Sequence, residues 1–211
     1  MKKHLIGLVV WGLLFGYMEA AIVVYLRQIY YPDGFLFPLV VMDGHIMLTE
    51  LLREAATLML MWATAALTYQ RMQSRIAAFF LLFGVWDIFY YIFLKMLLDW
   101  PEGLGTWDIL FLIPLPWVGP VWAPVVVSIA FIFSSTFILT LNHRDRYPAF
   151  DRRFLLLELL AAAIIILSFI PPGSAVLDQS MPTDFPLFLF LGGLMLGIGV
   201  FVYYIYACRK R

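Results

Sequence analysis

Residues 45–62 read "HIMLTELLREAATLMLMW", an apolar run that carries Glu50, Arg53 and Glu54 within five positions. At helical spacing Glu50, Arg53, Glu54 and Thr57 share one face, because residues three and four apart are neighbours on an α-helix. A second polar stripe follows: Asp87, Tyr91 and Lys95 stand at successive i,i+4 positions, with Tyr90 beside them. A third stripe, Gly12, Gly16, Glu19 and Ala20, is a small-residue face that ends in an acid. Small residues let helices approach closely. These types supply two kinds of chemistry. Carboxylates, tyrosine and lysine can exchange protons, and a surplus of acids over bases can hold a cation. Glu19, Glu50, Glu54 and Asp87 outnumber Arg53 and Lys95, so the expected binding residues are Glu19, Glu50, Arg53, Glu54, Asp87, Tyr91 and Lys95.

Other chemistries lack their motifs. The histidines are His4, His45 and His143, and no HExxH, ExxH or CxxC occurs. No transition-metal site, bis-histidine haem or other cofactor is therefore expected. There is no GxSxG, no Cys–His pair, no Walker A loop and no GxGxxG, which removes the usual nucleophile and nucleotide motifs. The single cysteine, Cys208, excludes an intrachain disulfide.

The elements that position these groups follow from composition. The 211 residues are 64% hydrophobic and 13% charged, with a formal net charge of zero and a mean hydropathy of +0.91. Soluble domains run near 45–50% apolar and about 25% charged. The chain reads as an all-α polytopic integral membrane protein in a single domain, residues 1–211, and zero net charge gives no reason to expect nucleic acid. Apolar runs of spanning length fall at about 5–27, 46–69, 76–98, 121–141, 154–170 and 185–207. The first follows Lys2 and Lys3 as in a signal peptide, but its length of about 22 residues crosses about 33 Å, so it is expected to be a retained span.

Of the 14 basic residues, all but Arg27, Arg53 and Lys95 fall before span one or after spans two, four and six. The opposite loops carry Asp33, Asp43, Asp99, Glu102, Asp108, Asp178 and Asp184. The positive-inside rule places both termini in the cytoplasm, consistent with a bacterial inner membrane. Two apolar stretches do not fit as spans and are expected to be interfacial or re-entrant on the outer side, near 35–45 ("FLFPLVVM") and near 108–120, where prolines crowd. Trp100, Trp107, Trp117 and Trp122 nearby suit an outer aromatic belt.

In this orientation the charged stripes of spans one to three share the outer half of the membrane, and Glu158 lies alone near the inner end. Three central charges cost roughly 7–10 kcal/mol on the insertion scale, and each Leu or Ile returns only about 0.3–0.6, so span two needs neighbours. Two arrangements answer that need: closed ion pairs that fix helix register, or a cavity that binds something polar. The expected function is an outward-facing charged cavity that binds, and in the fuller version transports, a small polar or cationic solute. An enzyme acting on a lipid or isoprenoid-linked headgroup at the outer leaflet is the alternative, and a subunit that docks a membrane partner or another copy of itself is the third.

Overall fold

The computed structural model describes residues 2–32, 34, 35, 37, 40, 43–177, 180, 182 and 184–209. The described residues form six helices and one hairpin: α1 (Lys2–Tyr30), α2 (Gly44–Thr68), α3 (Met72–Leu98), β1 (Trp107–Phe111), β2 (Trp117–Pro120), α4 (Trp122–His143), α5 (Arg152–Leu177) and α6 (Leu187–Arg209). Five of the helices are long and apolar enough to cross a membrane; α2, which carries Glu50, Arg53 and Glu54, is not among them. Large apolar side chains stand exposed on every helix, Leu67, Met96, Phe133 and Phe188 among them. A helix that is apolar on all sides suits lipid, and the helices suggest a multi-pass membrane protein.

α3 is the hub: α1, α2 and α4 all pack against it. The predicted small-residue face makes the α1 contact, and Gly12, Gly16, Glu19 and Ala20 are all buried. A Cβ added at Gly16 would stand 2.9 Å from the Trp86 carbonyl oxygen, and one added at Gly12 would stand 3.0 Å from Val85. Backbones this close admit no side chain between them. On the other side of α3, a Cβ on Gly84 would meet the Ser128 carbonyl oxygen at 2.7 Å. α5 and α6 form a second pair, joined to the rest through β2 and the start of α4. Phe169, Phe190 and Ala123 make the small core at that junction.

The boundaries expected from hydropathy hold within a few residues, with one extension. α5 continues through Pro171 and Pro172 to Leu177, so these prolines do not end it at residue 170. Capping explains two of the helix starts. The Asp43 side chain accepts from the His45 N–H at 2.8 Å ahead of α2, and Asp151 accepts from the Phe154 N–H at 2.9 Å ahead of α5.

The stretch 108–120 forms an antiparallel β-hairpin, which pairs Trp107 with Pro120, Asp108 with Gly119 and Ile109 with Val118. The prolines that rule out a helix are placed where a strand tolerates them. Pro114 and Pro116 lie in the connection, Pro120 ends β2, and Pro124 sits in the first turn of α4, where helical N–H groups have no intrahelical partner. The hairpin is packed inside the protein: Asp108, Val118 and Gly119 are buried, and a Cβ on Gly119 would come within 2.8 Å of Phe169. The other stretch, 35–45, falls partly outside the described residues, as do Asp33 and Asp178.

Candidate functional site

The carboxylates converge at the end of the bundle where α1 finishes, α2 starts and α3 finishes, with the hairpin laid across them. Together they line a cavity of about 160 Å³. It is walled by Glu19 and Arg27 of α1, Glu50, Arg53, Glu54 and Thr57 of α2, Trp86, Asp87, Tyr90 and Tyr91 of α3, and residues 108–112 of the hairpin. Six of the seven residues expected from the sequence are therefore brought together.

One group of contacts is an α1–α2 clasp. Arg53 pairs with Glu19 Oε2, while its Nε and Nη2 both stand 2.8 Å from Glu50 Oε2. The other oxygen of Glu19 accepts from the Thr57 hydroxyl at 2.6 Å. The i,i+3 and i,i+4 spacing on α2 sets Glu50, Arg53 and Thr57 on the face that meets Glu19. Glu19, Glu50 and Thr57 are buried, and the Arg53 side chain is only 22% exposed.

A second group ties the hairpin down. Both oxygens of Glu54 accept from the Leu112 N–H at 3.0 Å. Asp108 reaches the other way: Oδ1 lies 3.5 Å from Arg27 Nη2, and Oδ2 accepts from the Tyr91 hydroxyl at 3.1 Å. Burial pushes the Asp108 carboxyl up to about 6, against the pull of Arg27 and of the Tyr91 hydrogen bond. The Arg27 guanidinium is clamped between rings, with Cζ 3.6 Å from the Trp100 centroid and 4.3 Å from that of Phe35. Such stacking favours a desolvated cation. Trp100 thus serves Arg27 in addition to any interfacial role, and Trp117 and Trp122 pack on Phe169 and Phe190.

Asp87 forms the back of the cavity. Its Oδ2 accepts from Ser128 of α4 at 2.8 Å. Among the described residues neither Asp87 nor Glu54 has an ion-pair partner. Five carboxyls (Glu19, Glu50, Glu54, Asp87 and Asp108) thus share the cavity with two guanidiniums, Arg27 and Arg53. Two of the lining residues carry a buried donor that has no acceptor, Arg27 Nη1 and Trp86 Nε1. Among the described residues no group of three His, Cys, Asp or Glu side chains could hold a metal ion.

Lys95 stands apart from the other six. It does not line the cavity; its Nζ turns to the end of α3, 2.7 Å from Asp99 Oδ1 and 3.1 Å from the Asp99 carbonyl oxygen, and its side chain is half exposed. The reason is helical drift. Each i,i+4 step advances about 40° past a full turn, so Lys95 lies about 80° around the helix from Asp87. Tyr91, one step away, still faces the cavity.

Two charged members are new. Arg27 has two readings from the sequence, reaching inwards or turning to the interface, and the structure buries it. Asp108 reads there as one acid among the outer loops. Its signal is local: it is the one charge in "TWDILFLIPLP", an apolar setting in which a carboxylate needs partners. Glu158 stays apart, on α5 near Gly197, with its buried Oε1 unpartnered.

Comparison with known protein families, with characterised proteins and with solved structures finds no match to this chain.

Proposed function

We propose that this protein is a six-span membrane protein, both termini cytoplasmic, whose intramembrane cavity opens outwards and binds a small polar or cationic solute. The observation that carries the reading is the imbalance of charge inside the cavity. Glu19 and Glu50 share one guanidinium, Asp108 has the other, and Glu54 and Asp87 have none. A buried carboxylate without a counter-ion is costly, and a positively charged guest answers two of them at once. Donors without acceptors, Arg27 Nη1 and Trp86 Nε1, suit a guest that also carries an acceptor. The size agrees: a cavity of about 150 Å³ takes one benzene-sized guest.

The bundle supports a route as well as a site. α1 and α2 both lean on α3, so a change at the clasp between them opens or closes the cavity without unpacking the hub. Basic residues outside the helices gather at the other end, which the positive-inside rule assigns to the cytoplasm. The membrane is that of a bacterial cell in this reading.

The test uses the purified protein in neutral detergent with methylammonium and guanidinium as probes. Calorimetric binding of at least one probe is expected, weakened tenfold or more by E54Q or D87N, with uptake of labelled methylammonium into proteoliposomes if transport follows binding. Absence of binding by both probes, or binding untouched by both substitutions, overturns the reading.

A further inference from the structure

A second hollow, of about 250 Å³, lies at the opposite end of the bundle. The start of α1, the α2–α3 turn and the end of α4 build it, and its chemistry reverses that of the first. Among the described residues no carboxylate lines it; His4, Arg71 and His143 form an exposed rim. The Arg71 guanidinium lies over the Tyr147 ring, 3.8 Å from its centroid, which holds the plane of the fork and leaves its edge free to donate. The floor is polar and buried. Asn142 Nδ2 donates to Ser74 Oγ at 3.0 Å, and Asn142 Oδ1 is buried with no donor to satisfy it.

The helix ends here sort by sign. α3 starts at the hollow, and its N-cap residue Arg71 makes no side-chain cap. The first N–H groups of a helix have no intrahelical acceptor and attract anions. The C-termini of α2 and α4, which help to build the hollow, are covered: the Tyr69 N–H closes on Ala65 O at 3.1 Å, and the Arg144 and Arg146 N–H groups close on Leu141 O at 2.9 and 3.0 Å. The Arg75 side chain covers the Tyr69 carbonyl oxygen at 2.7 Å. Asp145, the acid of the turn after α4, accepts from the Tyr147 hydroxyl at 3.2 Å.

We infer that this hollow binds a phosphate group. Arg71 and the imidazoles supply donors at the rim, and the open N-terminus of α3 favours the negative charge. Asn142 Oδ1 requires a donor from the guest, which a halide or sulfate dianion lacks and a P–OH or a neighbouring hydroxyl provides. Phosphate with such a hydroxyl comes from free phosphate or from the headgroup of an anionic phospholipid such as phosphatidylglycerol, and both share this chemistry. The inference does not rest on the carboxylate cavity, so either stands if the other fails.

The experiment uses the delipidated full chain in neutral detergent, in two arms. In one, sodium phosphate is titrated against sodium chloride at matched ionic strength and thermal unfolding is followed. In the other, native mass spectrometry counts lipids retained from mixed micelles of phosphatidylcholine with or without phosphatidylglycerol. A phosphate-specific rise in the unfolding midpoint assigns free phosphate; selective retention of phosphatidylglycerol without that rise assigns the headgroup. In whichever arm responds, R71Q or H143Q is expected to weaken binding fivefold or more, R71K less than R71Q, and K2Q/K3Q, which removes charge outside the hollow, little. Equal behaviour of phosphate and chloride together with equal retention of the two lipids overturns the inference, as does binding that R71Q and H143Q leave intact.

Discussion

Arg53 of α2 is bound to Glu19 of α1, although both helices make their main contacts with α3 rather than with each other. The guanidinium and the Thr57 hydroxyl, which donates to the other oxygen of Glu19, therefore join two helices that packing alone would leave side by side. Glu50 on the same helix shares that guanidinium, so one side chain neutralises charge from two helices in a mostly buried position.

Removing that centre leaves Glu19 and Glu50 buried without a cation. R53Q is expected to destabilise the protein by about 3–5 kcal/mol, the range for stripping one partner from a buried pair. E19Q/R53Q should recover part of the loss. Unfolding in detergent checks both, and a double variant no more stable than R53Q would show that the two side chains are not coupled.

Asp108 gives the cavity a pH dependence. Its carboxyl is raised to about 6 from an ordinary value near 3.8, so the folded protein holds that proton across a window where the unfolded chain has lost it. The contribution of this group to stability is fullest below about 4, declines as pH rises through about 6 and is level above, a change on the order of 3 kcal/mol at most. Binding runs the other way: methylammonium affinity should rise between pH 5 and 7 as Asp108 ionises. A D108N protein titrated by calorimetry over the same range should show a smaller rise.

The hairpin hangs on Glu54. Its bond to the Leu112 N–H predicts faster deuterium exchange at residues 107–112 in E54A, with the helical amides of α4 unchanged. Exchange at the same rate in both proteins would mean that the strand pairing alone holds the hairpin.

Glycine substitutions separate close packing from mere sequence preference. G16A places a Cβ 2.9 Å from the Trp86 carbonyl oxygen and 3.1 Å from the Tyr90 nitrogen, and overpacking of this kind costs about 1–3 kcal/mol. G7A meets nothing within 4 Å and should be neutral or slightly stabilising. A shared response of the two variants in thermal unfolding would contradict the α1–α3 contact.

K95A tests the separation of Lys95 from the cavity. Lys95 pairs with Asp99 at the end of α3 and does not line the cavity, so probe binding is expected to match that of the wild type. A tenfold loss would return Lys95 to the site.

The sequence by itself determined the six helices, to within a few residues at most ends, because length and hydropathy are local properties that lipid reads directly. It also determined which faces of α1 and α2 turn inwards: the small residues at 12, 16 and 20, which pack on α3, and the charged stripe at 50, 53, 54 and 57 follow from a period of 3.6. Tertiary structure decided three things that period could not. Lys95 left the stripe because 80° of drift carries it past the edge of α3, where Asp99 receives it. Arg27 turned inwards because Trp100 and Phe35, distant in sequence from each other, enclose its guanidinium. Asp108 entered the cavity because prolines barred a helix over 108–120 and strand pairing placed its carboxyl between Arg27 and Tyr91. Each of these depends on contacts between segments far apart in the chain, and hydropathy and helical period carry no record of such contacts.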